Sequence, residues 1–502
     1  MTSDKFTSIV EPFETRRTTE LPQVAAILDD FSNQSFSDSA NIWRIFPSTG
    51  CVDLGLIQPD LLLVESAWAG NFDTWKYKIT HGKRPSSDLI ELVATARELS
   101  IPTVFWNKED PPHFEDFVAT ANLFEYIFTT EEAVIPRYYA ETSAKKVDLL
   151  RFAANPVIHN PRRVPGYRQG DICFAGMFFH HKYPERREQM MTLFPPATRY
   201  NFEIYSRHAG GDPRYQFPDP FEALVVGKLP YSQMVEAYRK YKVFLNVNSV
   251  PNSRSMCARR VYELSAAKTA VVGMESEAIR SIYSEDEVLL ARNAAEVEDI
   301  YRTLLEDETE RRKITQRAWR RTLSSHTYDH RMRQILEIAG FAPGEEKCRI
   351  CVVVEDAESA GQLLDDIAAQ EFTLESEVEV QIVDSASPNS VDVVDLEHCH
   401  VAVMKSGYRY GRFYLNDLIL TLEQQRSDFA CKAPVWDPNV EAAEEDFVTA
   451  LPDYGWIAAP GRVQRIRDVS EALSIITTPC TVYMGDPCGI AKANTETVLL
   501  NV

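Results

Sequence analysis

The stretch VFLNVNSVPNSRSMCARRVYELSAAKTAVVG, residues 243–273, decides the fold class. A short apolar strand, Val243 to Val247, leads into a polar loop, and a helix is predicted from about Ser255. A second apolar strand, Thr269 to Val272, completes one strand–loop–helix–strand unit. Ligands of open α/β sheets bind where loops leave the carboxyl ends of the strands. This loop is therefore the first place to expect a ligand.

The predicted helix has two unlike faces. At about 100° per residue, one face is apolar and consists of Cys257, Ala258, Val261, Leu264 and Ser265. Arg259 and Glu263 lie nearly opposite, on a face that suits water or a cleft. They form either an ordinary surface ion pair, worth about 0.2–0.5 kcal/mol, or part of a binding site. Free N–H groups at the start of the helix, with arginines nearby, would suit a phosphate.

The same alternation of apolar runs and helical patterns extends along the chain. Apolar runs at 24–28, 61–65, 103–106 and 126–128 enclose helical patterns such as 87–99, for which Ser87 is a suitable N-cap. A second alternating unit starts at Ile172 and ends with a polar helical region, 293–340. A third begins with CRICVVV (348–354). The pattern predicts an α/β protein with mostly parallel sheets in three domains, 1–158, 159–345 and 346–502, with a linker at 155–168.

Composition excludes several classes of protein. The hydrophobic content of 44% is ordinary for a globular chain, and no apolar run is long enough to span a membrane. The first 20 residues lack the apolar core of a signal peptide, so cytoplasmic residence is expected. A formal charge of −21 argues against nucleic acid as a partner. Assembly into a homo-oligomer stays open.

No metal site is expected. The nine cysteines are scattered, as is typical of reduced thiols in the cytosol. Cys348 and Cys351 form one C-x-x-C motif, and His398, Cys399 and His400 offer further ligands in principle. Their spacing matches none of the usual zinc patterns.

Four segments, in order along the chain, resemble one family. Besides the opening stretch they are FAGMFFHHKYPERRE (174–188), GKLPYSQMVEAYRKYKVFLNVN (227–248) and SSHTYDHRMRQIL (324–336). Together they resemble the spore-maturation (CgeB-like) group of glycosyltransferases, which have two facing Rossmann-like domains, the GT-B architecture. The likeness extends more weakly upstream through ILDDFSNQSF (27–36), LLLVESAWAGN (61–71) and FWNKEDPPHF (105–114).

The resemblance implies that Glu263 binds the ribose hydroxyls of a nucleoside diphosphate sugar, with UDP among the carriers to test. Related retaining transferases carry a second glutamate eight positions earlier, near the donor sugar, where this chain has Ser255. The retaining mechanism is therefore not carried over, and the stereochemical outcome stays open.

On the donor side, arginines and strand-exit groups must stabilise the diphosphate, because no metal-binding triplet is evident. Gly176, in a turn after a strand, would allow close backbone approach, although an ordinary turn accounts for it equally well. The donor-binding candidates are Gly176, Arg207, Asn248, Ser249, Arg254, Ser255, Arg259, Arg260 and Glu263.

On the acceptor side, the first domain supplies the candidates. Trp68 and Trp75, in ESAWAGNFDTW, would stack on a sugar, and Lys108 follows another strand. A base must deprotonate the acceptor hydroxyl in an inverting reaction. The candidate bases are His113, Glu109, Asp110 and Glu65. Asp110 precedes a proline and serves equally well as a turn opener.

The third domain carries a weaker resemblance. VAVMKSGYRYGRFYLNDLILTLEQ (401–424) resembles the part of single-Rossmann (GT-A-like) glycosyltransferases that follows an Asp-x-Asp triplet, but Lys405, Ser406 and Gly407 stand at the triplet. Without carboxylates it lacks the oxygen ligands of a magnesium or manganese site. The resemblance implies a degenerate, metal-free domain; an unrelated α/β accessory domain is the alternative.

These observations predict a metal-independent glycosyltransferase that moves a sugar, a hexose by preference, from a nucleoside diphosphate to a hydroxyl-bearing glycan, small molecule or protein. No cofactor is expected beyond the donor. A catalytically inactive scaffold that binds glycan or a partner protein is the alternative, and a sugar-nucleotide epimerase is a third interpretation.

Overall fold

Two parallel sheets and one mixed sheet organise the chain in the computed structural model. The structure describes residues 21–341, 347–354, 361–384, 397–432, 446–448, 455–460, 462, 482–485 and 490–492. The predicted class is confirmed, since two Rossmann-like α/β units precede a third α/β unit. The predicted boundary at 345/346 lies outside the described residues.

The first unit is a six-stranded parallel sheet of order β2-β1-β3-β4-β5-β6. Its strands are β1 (Gln23–Ile27), β2 (Asn41–Arg44), β3 (Leu61–Glu65), β4 (Thr103–Asn107), β5 (Tyr126–Thr129) and β6 (Lys146–Leu149). Its helices are α1 (Asp30–Phe36), α2 (Gly50–Ile57), α3 (Ser87–Glu98), α4 (Phe114–Ala121) and α5 (Ile135–Glu141). A 3₁₀ turn spans Glu132–Val134.

The second unit is again a six-stranded parallel sheet, of order β12-β11-β10-β7-β8-β9. Its strands are β7 (Gly170–Ala175), β8 (Phe202–Tyr205), β9 (Val225–Gly227), β10 (Tyr241–Leu245), β11 (Ala270–Met274) and β12 (Leu289–Ala291). Its helices are α6 (Pro184–Ala197), α7 (Tyr231–Lys240), α8 (Arg260–Ala266), α9 (Glu277–Arg280), α10 (Ala294–Glu306) and α11 (Glu308–Ser325). Helix α12 (Tyr328–Ile338) follows, and 3₁₀ turns span Pro213–Tyr215 and Phe221–Leu224.

The third unit contains a mixed sheet of order β14-β13-β15-β19-β17-β20-β18 and a small two-stranded sheet of β16 and β21. Its strands are β13 (Cys348–Val354), β14 (Val378–Asp384), β15 (His400–Met404), β16 (Tyr408–Tyr410), β17 (Phe429–Lys432), β18 (Asp446–Val448), β19 (Gly455–Ala458), β20 (Val482–Gly485) and β21 (Ile490–Lys492). Its described helices are α13 (Gly361–Ala368) and α14 (Tyr414–Gln425).

Both faces of the first sheet are covered. Strand β1 sends Ala25 and Ile27 into a core with helices α2 to α5, while Val24 and Ala26 join α1 and α12 on the other face. Strands buried on both faces read as unbroken apolar runs, which is why the sequence shows them clearly. Helix α12 thus rests on the first sheet, although it follows the second unit in sequence.

The chain crosses between the first two units twice, and the two crossings lie side by side. Ala154, on the way out, donates its backbone N–H to the carbonyl of His326, on the way back. Its own carbonyl accepts from the backbone N–H of Tyr328, 2.9 Å away. The two crossings are therefore joined as a short parallel bridge between Ala154 and Thr327.

The third unit is anchored on the second through buried charge. Arg320 of α11 forms a two-pronged ion pair with Asp417 of α14, with Nε–Oδ1 at 2.7 Å and Nη2–Oδ2 at 2.9 Å. Lys432 lies 3.2 Å from the same carboxylate, and all three side chains are at most 7% exposed. Trp319 Nε1 also donates to Gln424. Such a fully satisfied charged contact fixes one orientation of the two units.

Local predictions differ from the structure in two places. Helix α8 begins at Arg260, five residues later than predicted, because the Ser253 hydroxyl accepts hydrogen bonds from the N–H groups of residues 255 and 256 and holds them in a loop. Ser86, rather than Ser87, caps α3. Within the described ranges, no helix combines the length and apolar character needed to cross a bilayer.

Candidate functional site

Each parallel sheet has one place where consecutive strands depart to opposite sides. In the first sheet it lies between β1 and β3, and in the second between β7 and β10. Loops diverge there at the carboxyl ends of the strands, so a crevice opens that suits a ligand. Each crevice is built from residues far apart in sequence.

The two crevices face each other. The guanidinium of Arg259, at the start of α8, lies 3.6 Å from the ring centre of Phe31, at the start of α1. It also lies 4.9 Å from the ring of Tyr231 on α7, and Phe31 contacts Tyr231 edge-on at 5.7 Å. A cation sandwiched by aromatic rings is a favourable contact, so these residues close one side of the space between the units.

A three-membered ion cluster lies at the crevice of the first sheet. Lys108 Nζ is 2.8 Å from both Glu65 Oε1 and Asp29 Oδ2. Glu65 is fully buried, and burial raises its pKa even though Lys108 opposes the shift. The pKa of Lys108 is raised too, because the two carboxylates outweigh its burial. Lys108 was predicted as an acceptor contact and Glu65 as a base. In the structure these two side chains form an ion pair with each other.

Asp110 is closed off from any substrate. Its carboxylate accepts hydrogen bonds from Asn107 Nδ2 (2.8 Å), Thr129 Oγ1 (2.6 Å) and the Tyr138 hydroxyl (2.9 Å). Burial raises its pKa to about 7. The prediction of Asp110 as a catalytic base is wrong for this geometry, since the side chain has no exposed surface and instead joins β4, β5 and α5.

His113 is the candidate base that keeps a free edge. Its Nδ1 lies 2.8 Å from Asp116 Oδ2, and its side chain is 37% exposed. A carboxylate on one ring nitrogen orients the imidazole and leaves the other nitrogen to take a proton. Trp68, 48% exposed, touches the His113 ring edge-on at 5.2 Å. Glu109, the remaining candidate, is partly exposed beside them.

Trp75 is a core residue, so its prediction as an acceptor contact is wrong. It is 1% exposed and packs with the α3 face of the first sheet. Its Nε1 donates to the carbonyl of Ile45 at 2.7 Å. No face of the ring is open to a sugar.

The crevice of the second sheet is lined with hydrogen-bond donors. Arg186, in the first turn of α6, donates Nη1 to the carbonyl of Val247 (3.2 Å) and to Ser249 Oγ (2.9 Å). Burial, then the neighbouring Arg260, lowers the pKa of Arg186 to about 10. The side-chain nitrogen of Asn248 is buried without a hydrogen-bond partner in the described part of the chain. The predicted Asn248 and Ser249 therefore lie together at the end of β10.

Two further arginines lie beside this crevice. The guanidinium of Arg260 donates to the carbonyl of Ala175, the last residue of β7. Arg207, just past β8, has no ion pair or hydrogen bond among the described residues. Desolvation, then Arg260 and Arg259, lowers the pKa of Arg207. Gly176 follows β7, where a Cβ would lie 2.6 Å from the Phe174 ring.

Glu263 does not face open space. It is 0% exposed, and its two oxygens accept hydrogen bonds from the hydroxyls of Tyr231 (3.1 Å) and Tyr238 (2.6 Å). Arg259 Nη1 is 3.2 Å away and, despite burial, holds the pKa of Glu263 below its usual value. The predicted cleft-facing position is wrong, because α7 and Arg259 cover that face. In this arrangement Glu263 offers no surface to a ribose.

Ser255 and Arg254 take different places from those predicted. Ser255 is 1% exposed, and its hydroxyl joins the two units by donating to the carbonyl of Thr130 (3.1 Å) and accepting from the N–H of Glu132 (2.8 Å). It is an interdomain contact with no surface left for a donor. Arg254 is exposed and paired with Glu277 at 2.6 Å, so its charge is balanced.

Sequence reasoning missed several residues of the site. Asp29 and Phe31 lie in ILDDF directly after a strand, which was a usable signal. Asp116 was detectable as an i+3 partner of His113 at the start of a helix. Tyr231 and Tyr238 gave no local signal, because only the fold brings α7 onto α8.

Neither a metal-binding cluster nor the large cavity of the described residues adds to the candidate site. Among the described residues, no group of three or more His, Cys, Asp or Glu side chains is arranged to hold a metal. A cavity of about 1280 Å³ opens between α12 and the third unit, lined by charged residues such as His330, Glu375 and Glu423. It contains none of the predicted donor or acceptor residues.

Comparison with known proteins adds one family match. Residues 186–337 match the family model described as glycosyl transferase-like. The matched segment is similar to glycosyl transferase-like domains. It runs from the first turn of α6 to the end of α12 and contains every predicted donor residue except Gly176. It covers less than half of the chain. No curated protein matches the sequence.

Solved structures resemble the chain only distantly. A glycosyltransferase from Rickettsia africae is 9% identical, covering 64% of this chain and 98% of its own, with a TM-score of 0.40. The Anabaena protein HepE, in complex with UDP and glucose, is 11% identical over 63% and 90%, with a TM-score of 0.39. A sucrose-phosphate synthase from Thermosynechococcus elongatus is 13% identical over 58% and 76%, with a TM-score of 0.37.

Proposed function

We propose that this protein transfers a sugar, a hexose by preference, from a nucleoside diphosphate sugar to a hydroxyl group of a glycan, small molecule or protein. The observation that carries the proposal is the surplus of positive charge at the crevice of the second sheet. Burial and the neighbouring Arg260 lower the pKa of Arg186, and burial, Arg260 and Arg259 lower the pKa of Arg207. A diphosphate would relieve that repulsion and accept their N–H groups in pairs.

The donor would lie across the ends of β7 and β10. Among the described residues, Arg207 has no competing partner and the Asn248 amide nitrogen has no acceptor, so both are placed to bind an anion or a sugar hydroxyl. Gly176 would allow the ligand to approach the backbone. The CgeB-like affiliation suggested by the sequence motifs agrees with this placement. Glu263 has a different role in this proposal: it holds Arg259 in place.

The acceptor would be activated from the first unit. His113 Nε2 removes the proton of the acceptor hydroxyl, while Asp116 stabilises the imidazolium that forms. The acceptor oxygen then bonds to the anomeric carbon as the bond to the diphosphate oxygen breaks. The negative charge of the leaving group passes to the arginines, a role that a divalent metal serves in other enzymes.

Nucleotide titration followed by a turnover assay tests the function. We expect calorimetry to detect one of UDP, GDP or dTDP, and the matching sugar nucleotide to be consumed in the presence of an acceptor. Turnover should persist in EDTA, and restoration by Mn²⁺ after loss would contradict the metal-free proposal. Absence of any nucleotide binding would overturn the function, and binding without turnover would favour the inactive scaffold.

A histidine pair tests the catalytic assignment. His113→Gln should abolish transfer but leave nucleotide affinity unchanged, since the base does not touch the donor phosphates. His81→Gln, at an exposed histidine in a neighbouring loop, is the matched control and should keep full activity. Equal activity of the two variants would remove His113 from the mechanism.

We also propose that the third unit is a degenerate GT-A-like domain without activity of its own. Lys405, Ser406 and Gly407 follow β15 and include no carboxylate. Asp417 anchors the third unit on α11 of the second unit, which suits a supporting role for the third unit. Asp417→Asn should therefore lower stability without changing donor preference.

A further inference from the structure

The connection between β3 and α3, residues 66–86, contains an uncommon backbone conformation. Four consecutive residues have positive φ: Gly70 (56°), Asn71 (33°), Phe72 (60°) and Asp73 (64°). Left-handed residues other than glycine are unfavourable, and for a bulky aromatic residue they are true outliers. Tyr77, further along, also has a positive φ of 62°. Strain of this kind persists only where the surroundings enforce it, and it concentrates at binding sites.

Buried side chains enforce this conformation. The Asn71 amide nitrogen donates to the carbonyls of Ala26 (2.8 Å) and Ile45 (2.9 Å), and its oxygen accepts from the backbone N–H of Leu28. Trp75 and Ile79, four and eight residues later, are each 1% exposed. These three anchors fix the loop on the first sheet, so it holds its shape without a ligand.

Two residues next to the first anchor, Asn71, present aromatic rings to solvent. Trp68 is 48% exposed and Phe72 is 63% exposed. Within the described part of the chain, the two rings contact other residues but not each other. Because strained backbone concentrates at binding sites, the two exposed rings that this loop carries are candidate contacts for a ligand.

The two rings stand at different places along the sheet edge. Trp68 touches His113 and Phe117 at the start of α4, which follows β4. Phe72 lies on the guanidinium of Arg44, the last residue of β2, with 4.1 Å between them. Three strand spacings separate β4 from β2 in this sheet, or about 14 Å. A ligand that reaches from the β4 side of this edge to its β2 side is longer than a single sugar.

We propose that Trp68 and Phe72 are two stacking subsites for an extended carbohydrate acceptor. The inference rests on the proposed transferase function and adds the class of acceptor. The sugar that becomes glycosylated lies over Trp68, next to His113, and a more distant sugar of the same chain lies over Phe72. Polar groups beside each ring, His113 at one end and Arg44 at the other, suit sugar hydroxyls better than a continuous apolar partner.

Oligosaccharides of increasing length test this proposal. The probes are cello-, malto- and chito-oligosaccharides of one to six units, with affinity measured by calorimetry in the absence of donor. In the series that binds, affinity should rise until both rings are covered and then level off. Phe72→Ala should weaken binding of the longer members about tenfold while changing monosaccharide affinity less than twofold. Trp68→Ala should weaken binding at every length.

The control is Leu56→Ala, which removes a more exposed apolar side chain from α2, and it should bind like the wild type. Melting temperatures of all variants show whether the fold is kept. Affinity that does not depend on length, a wild-type Phe72→Ala, or no binding by any series would overturn the proposal. Because no donor is present, failure of the nucleotide titration would remove the transferase function without touching this result.

Discussion

The two facing crevices each lie where consecutive strands of a parallel sheet depart to opposite sides, but they differ in how their charges are paired. At the first sheet, the cation of Lys108 is matched by Glu65 and Asp29 within 2.8 Å. At the second, Arg207 has no partner among the described residues, and Arg186 and Arg260 bond backbone carbonyls rather than carboxylates. A balanced crevice suits a neutral hydroxyl compound, whereas an unbalanced cationic crevice suits a diphosphate. In the proposed reaction, this difference places the acceptor at the first sheet and the donor at the second.

The largest effect is expected from removing the cation of the charge-balanced crevice at the first sheet. Lys108→Met leaves Glu65 buried without a counter-charge, and breaking a buried pair in this way costs about 3–5 kcal/mol of unfolding free energy. Urea denaturation at pH 7 measures the loss. The double variant with Glu65→Gln should recover part of it, because no buried charge then remains unpaired at that position. An unchanged midpoint would show that the cluster is not a balanced unit.

The next largest effect is expected from acidification, which should lower the stability of the fold through His159, near the second crevice. Burial lowers the pKa of His159, which contacts the Tyr231 hydroxyl at 2.8 Å, from 6.5 to about 4. The unfolded chain therefore binds this proton below pH 6.5 while the folded chain resists it until about pH 4. Stability is lost as pH falls through that window, by about 3 kcal/mol for this histidine.

Denaturation at pH 7, 5.5 and 4.5 tests the acid effect. His159→Gln has no such proton to bind and should show a shallower decline than the wild type. Parallel curves for the two proteins would contradict the assignment.

Removing one unpaired charge from the crevice of the second sheet should change nucleotide affinity rather than stability. Arg207→Ala should weaken nucleotide affinity about tenfold to a hundredfold, since a charged hydrogen bond to phosphate is lost. Its unfolding free energy should change by less than about 0.5 kcal/mol. Arg254→Ala removes the same charge from an ion-paired, exposed position and is the matched control. Equal losses in both variants would mean that only net charge matters.

The smallest effect is expected at the hydrogen-bonded contact between the first and second units. Ser255→Ala deletes both hydrogen bonds from its hydroxyl to residues 130 and 132, worth about 1 kcal/mol. Amide exchange at residue 132 should accelerate while exchange in β4 stays unchanged. No change at residue 132 would show that the contact does not hold the units together.

The sheets were predictable from the sequence because their strands are buried on both faces. Val24 to Leu28 and Leu61 to Glu65 are apolar at nearly every position, so no period had to be recognised. Once the strands were recognised, the positions of their ends followed directly. The same step gave the positions of Asn248, Ser249 and Arg207. Physical rules for α/β sheets then placed these residues at one edge.

The predictions that were wrong concern residues whose exposure depends on which other parts of the chain cover them. Periodicity shows that Arg259 and Glu263 share a face, but not that Tyr231 and Phe31 cover it. Trp68 and Trp75 look alike in the sequence, and only the left-handed turn between them sends one into water and the other into the core. Ser255 was unpredictable for the same reason, since its partners are more than 120 residues away.

The paired crossings between the first two units have a mechanical consequence. A single strand joining two bodies would let them twist as well as bend, whereas two neighbouring strands tied together at Ala154 and Thr327 resist twisting. Opening and closing about one axis is the movement that two linked crossings restrict least. An acceptor on the first sheet and a donor on the second would then meet in the same relative orientation at every closure, so alignment of the reactants is a property of the hinge.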